Sequence, residues 1–134
     1  MSGHEKRLLI IDDEDDICQI VKEKFENLGY KVLTANTTHE GFKKTEQDKP
    51  DCVILDIRIP GREGGLGYLQ RLRSYLHNDP EKQARMRETP VIVLTGAGVV
   101  MQPLFEQQGI SGFIEKPLDF TKLQAQIQNI VWKH

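Results

Sequence analysis

The sequence predicts an α/β domain built as a single doubly wound, five-stranded parallel sheet. Three observations carry that expectation. Apolar runs of strand length recur along the chain. Segments with helical spacing separate them. At 134 residues there is room for one compact domain and little else.

The elements follow in order. Leu8 to Ile11 is unbroken by polar residues, as a strand buried on both faces of a parallel sheet requires. Ile17, Val21, Phe25 and Leu28 then make one helical stripe, and Gly29 stands where a helix end favours a left-handed residue. Tyr30 to Ala35 reads as the second strand. A weaker helix, from about Thr38 to Gln47, carries Gly41 inside it. Cys52 to Asp56 is the third strand and Pro90 to Thr95 the fourth, with Leu66, Leu69, Leu72 and Leu76 marking the helix between them. A short helix is expected around Leu104 to Gln108, with Pro103 in its first turn. Gly112 to Lys116 is the fifth strand. Phe120, Leu123, Ile127, Ile130 and Val131 stripe a closing helix capped by Asp119. Five βα units in this order imply parallel strands joined by right-handed crossovers. One domain fills residues 1–134, with an ordered core over about 6–133.

Composition removes several function classes. The charged fraction of 28% with a net charge of −2 gives no basic surface for nucleic acid. Cys18 and Cys52 are too few for a disulfide framework and read as reduced thiols. No apolar stretch approaches the ~20 residues that span a bilayer, and the N-terminus lacks the core of a signal peptide. A cytoplasmic domain without membrane contact is therefore expected.

In doubly wound sheets, ligands bind beyond the carboxyl ends of the strands. Those ends carry Asp12, Asp13 and Glu14 after strand one, Asp56 at strand three, Thr95 at strand four and Lys116 at strand five. Alone, Asp12 and Asp13 would serve as a helix N-cap and Asp56 as a turn residue. Together they converge, and clustered carboxylates repel unless something positive compensates. A hard divalent cation such as Mg²⁺ fits that need. One carboxylate could then attack a phosphoryl group as an oxygen nucleophile, while the hydroxyl and the ammonium bind its other oxygens.

At these positions the sequence resembles the receiver domains of two-component response regulators. The marks are IIDDE (Ile10 to Glu14), ILDIRIPG (Ile54 to Gly61), VIVLTG (Val91 to Gly96) and GFIEKP (Gly112 to Pro117). The resemblance implies the flavodoxin-like (βα)5 fold with strand order 2-1-3-4-5. It also implies a phosphoacceptor at Asp56, with Mg²⁺ held by Asp12, Asp13, Asp56 and the backbone carbonyl of Arg58. Thr95 matches the switch hydroxyl, Lys116 the phosphoryl-binding lysine, and Pro117 the proline that follows a cis peptide bond. Phe113 matches the aromatic whose rotamer reports the switch, and a role as a strand residue packing on the last helix is compatible with that. The implied donor is a sensor histidine kinase or a histidine phosphotransfer protein, acting on a downstream effector left unnamed, and a dimer is left open. The domain is expected not to be a turnover enzyme, beyond self-phosphorylation from small donors and self-dephosphorylation.

Three departures stand out. The chain between Asp56 and Thr95 exceeds compact family members by roughly ten residues, a whole loop's worth. Most of the excess lies from His77 to Thr89, expected as a solvated extension or a partner-docking element. Arg58 places a large cation beside the acceptor, able to reach the phosphoryl oxygens or Glu14, and Ala97 is small and apolar. The run from Gly96 to Met101 is apolar for a surface loop.

Other readings fit less well. A haloacid dehalogenase-type phosphatase needs a second Asp two residues after its nucleophile, where this chain has Arg58. A flavodoxin-like redox protein needs a phosphate-cradling loop after strand one, where DDEDD would repel a phosphate. A pseudo-receiver would have a degenerate acidic pair, acceptor or lysine, and all of these are present.

Overall fold

In the computed structural model, residues 5–96 and 102–132 are described. The elements are β1 (Arg7–Ile11), α1 (Asp15–Asn27), β2 (Lys31–Ala35), α2 (Thr38–Asp48), β3 (Cys52–Asp56) and α3 (Gly64–Arg73). After them come α4 (Pro80–Arg87), β4 (Val91–Thr95), α5 (Gln102–Gln107), β5 (Gly112–Glu115) and α6 (Phe120–Val131). The five strands are all parallel, in the order β2-β1-β3-β4-β5, as expected.

The unbroken apolar strands divide by parity between two cores. Leu8, Ile10, Ile54, Ile92 and Ile114 face one side, where Val21, Phe25, Leu123 and Ile127 bring in α1 and α6. Leu9, Ile11, Val53, Leu55, Val91 and Val93 face the other, against α3, α4 and α5. Phe113, one residue from Ile114, therefore packs on this second side and not on the last helix. Gly41, a weak point by helix propensity, has a packing reason. A Cβ there would lie 2.5 Å from Ile11 Cδ1, so α2 can approach β1 only with glycine at the contact.

Two expected stripes end early. Leu28 is the C-cap of α1 and is 51% exposed. Leu76 lies beyond α3 and is 78% exposed, because the helix stops at Arg73 with Ser74 as its cap. Their spacing continued the helical period past the point where the helices terminate.

The segment from His77 to Thr89 is largely exposed, yet it is more than a loop. It holds a sixth helix, α4, capped by the Asp79 side chain on Glu81 N with Pro80 in its first turn. Met86 and Thr89 are buried. Arg85 reaches across to α2 and donates to the carbonyls of Thr45 (3.2 Å) and Glu46 (3.1 Å). The last turn of α2 has no basic residue of its own, so this guanidinium supplies the cation that a helix C-terminus favours. Arg73 ties three segments together, donating to the carbonyls of Arg87, Thr89, Gln108 and Gly109 at 2.7–3.1 Å. Arg87 donates to Tyr75 O at 2.7 Å.

Candidate functional site

The carboxyl ends of β1, β3, β4 and β5 bring the expected residues to one small pocket, bordered by Asp13, Glu14, Asp56, Arg58, Gly96 and Lys116. Asp12 follows β1 and is fully buried, Asp13 beside it is exposed, and Asp56 is the last residue of β3. Carboxylate oxygens of these three residues lie within 4.8 Å of one another. Thr95 closes β4, fully buried, in the strand beside Asp56. Lys116 follows β5 and is anchored by its backbone N–H to Thr95 O at 2.7 Å. The peptide bond between Lys116 and Pro117 is cis.

Backbone donors set the two buried carboxylates. Glu14 N–H donates to Asp12 Oδ1 at 2.9 Å, and Arg58 N–H to Asp56 Oδ1 at 3.0 Å. Gly65, in the first turn of α3, approaches this strand end closely: a Cβ there would meet Asp56 O at 2.9 Å and Ile57 O at 3.1 Å. The Asp56 turn and α3 thus share space that any larger residue would take.

Lys116 Nζ lies 2.9 Å from Glu14 Oε1, 3.3 Å from Asp12 Oδ2 and 3.5 Å from Asp56 Oδ2. Burial works against its charge, but the Glu14 hydrogen bond and the charges of Asp12 and Asp56 outweigh it, holding the ammonium above the usual lysine range. Burial, helped by the charge of Asp56, pushes the Asp12 carboxyl up to about 6, against the Glu14 amide and Lys116, which pull it down. One ammonium against this many carboxylates leaves the pocket short of positive charge. All-oxygen donors with excess negative charge fit a hard divalent cation, with Asp12, Asp13 and Asp56 as the carboxylates that would hold it.

Glu14 pairs with Lys116, and not with Arg58 across the pocket. Arg58 itself is exposed at the rim. Ala97 and the run up to Met101 lie outside the described residues. Reasoning from motifs missed Asn36, whose side-chain amide donates to Asp12 O at 3.1 Å and Asp15 Oδ1 at 3.0 Å. Its signal was available: a polar residue directly after β2, at the same edge of the sheet. Cys18 and Cys52 are free and buried, and burial pushes their thiols up to about 11 and about 12.

A doubly wound sheet with this pocket at its carboxyl end is the architecture of a phosphoacceptor signalling domain. Residues 8–128 match the response regulator receiver domain, and the chain belongs to that family. Its place is therefore in two-component signalling, as a switch and not as a classical enzyme. It is 30% identical over 127 residues to a probable transcriptional regulator ycf27 of Guillardia theta, covering 94% of this chain and 45% of that one. The chain spans about half the length of the first curated relatives it matches. Its fold is that of the chemotaxis protein CheY4 of Vibrio cholerae, with TM-score 0.81 and 23% identity over 95% of this chain and 99% of that one. A response regulator from Burkholderia pseudomallei, solved with a phosphorylated aspartic acid and a calcium ion, superposes with TM-score 0.75 and 21% identity, over 96% and 70% of the two chains. Among the described residues, no helix is long and apolar enough to cross a membrane.

Proposed function

We propose that Asp56 accepts a phosphoryl group from a phosphohistidine of a sensor kinase or phosphotransfer protein in the cytoplasm. A carboxylate oxygen of Asp56 forms the new bond to phosphorus as the phosphorus–nitrogen bond breaks and the electron pair leaves with the imidazole. Mg²⁺, held by Asp12, Asp13, Asp56 and the Arg58 carbonyl, would neutralise charge developing on the transferred group. Lys116 and the Thr95 hydroxyl take the remaining phosphoryl oxygens. Movement of Thr95 toward that group would be read out through Phe113 to an effector partner or output domain.

The observation that carries this reading is the convergence of Asp12, Asp13 and Asp56 at the carboxyl end of the sheet, with Asp12 and Asp56 both paired to Lys116. The same chemistry supports labelling by a small donor without a kinase. Incubation with radiolabelled acetyl phosphate and Mg²⁺ should label the wild type, and Asp56→Asn or excess chelator should reduce labelling at least a hundredfold. Labelling of Asp56→Asn at the wild-type level would overturn the assignment of the acceptor.

A further inference from the structure

Glu14 has no part in the phosphoryl chemistry proposed above, yet it makes the shortest contact to Lys116 in the pocket. An ammonium has three protons to donate and no lone pair. Here three carboxylates face it, one each from Asp12, Glu14 and Asp56, so its donor capacity is filled. A phosphoryl oxygen can reach Lys116 only by displacing one of them.

The three acceptors are not equally displaceable. Asp12 and Asp56 are buried, and each is held by a backbone N–H. Glu14 has a longer side chain that is 57% exposed, so it can move into water at little cost. It stands at the N-cap position of α1 but makes no capping hydrogen bond, so its carboxylate is not held by the helix either. We propose that Glu14 is a resident counter-ion of Lys116, occupying the ammonium until a phosphoryl oxygen displaces it. Glu14 is thus a positioning residue that lowers the pocket's affinity for a phosphoryl group. This rests on the reading of Asp56 and Lys116 given under the proposed function.

Two substitutions separate contact from mere negative field. Glu14→Gln removes the charge, whereas Glu14→Asp keeps it and shortens the reach by one methylene. Neither removes a helix cap, so folding is not at stake. Beryllofluoride, a phosphoryl mimic that is not transferred, is titrated into each protein with saturating Mg²⁺. Binding is followed by the amide NMR signals of Phe113 to Lys116, and acetyl phosphate labelling rates are measured in parallel. Both variants should bind the mimic about two- to fivefold more tightly than wild type, the scale of a half-exposed ion pair, and label faster by a similar factor. A gain in Glu14→Gln alone would show that Glu14 acts only through its field, and equal affinity in all three proteins would remove it from the pocket's chemistry. Either result overturns the proposal. Failure of the mimic to bind wild type would instead strike the assignment of Asp56 and Lys116 itself.

Discussion

The two ends of the sheet handle charge in opposite ways. At the carboxyl end, Asp12, Glu14 and Asp56 face the Lys116 ammonium with Asp13 clustered beside Asp12 and Asp56, and burial raises the Asp12 carboxyl toward neutrality. At the amino end, Arg73, Arg85 and Arg87 donate to main-chain carbonyls of α2, of the loop after α3 and of the turns before β4 and β5. The lower end spends its cations on carbonyls that helices and loops leave unpaired, which stabilises the fold. The carboxyl end concentrates like charges that a divalent cation could neutralise, which costs stability in its absence.

The largest test of this contrast is Arg73→Met, which keeps the apolar stem but strands the carbonyls of Arg87, Thr89, Gln108 and Gly109. It should lower unfolding free energy by about 3 kcal/mol in urea denaturation. Mg²⁺ affinity of the folded protein should be unchanged. A weakened Mg²⁺ site would mean the two ends are coupled.

Asp12→Asn should act in the opposite direction. Because burial raises the folded-state pKa of Asp12 from 3.8 to about 6, the native state holds its proton to higher pH than the unfolded chain. Stability from this group is therefore present below pH 3.8 and lost as pH rises toward about 6. With chelator present, Asp12→Asn should be more stable than wild type by about 1–2 kcal/mol at pH 7, with the gain shrinking toward pH 4. Thermal melts at the two pH values check the sign, and Mg²⁺ should reverse the order at pH 7. A wild type more stable than the variant at pH 7 without metal would refute the strained-pocket picture.

The smallest effect is expected at Leu76, which belongs to neither end's network. Leu76→Ser should change stability by under about 0.5 kcal/mol, because the side chain is already in water. A larger loss in urea denaturation would place it in a contact absent from the isolated chain.

What the sequence disclosed depended on whether the signal was local. Unbroken apolar strands and the Asp119 cap, which accepts from Thr121 N and Lys122 N, are written in adjacent residues. The pocket was legible because parallel topology sends every strand end to one edge, so order along the chain becomes proximity in space. Helix α4 was not read, although Asp79 and Pro80 form a cap and first turn, because Met86 is its one buried apolar residue and offers no stripe. Leu28 and Leu76 show the converse error, a period that outlasts its helix. The pairing of Lys116 with Glu14 spans 102 positions and depends on side-chain reach, which spacing does not encode.

The cap that Arg85 places on α2 has a consequence in time. Its contacts to Thr45 and Glu46 cross 40 and 39 positions of chain, so the end of α2 is completed only after α4 exists and has docked. Contacts of that separation close late, since the loop entropy must be met before they form. Loss of Arg85 would therefore leave the folding rate nearly unchanged and hasten unfolding, so that α4 acts on how long the native state lasts.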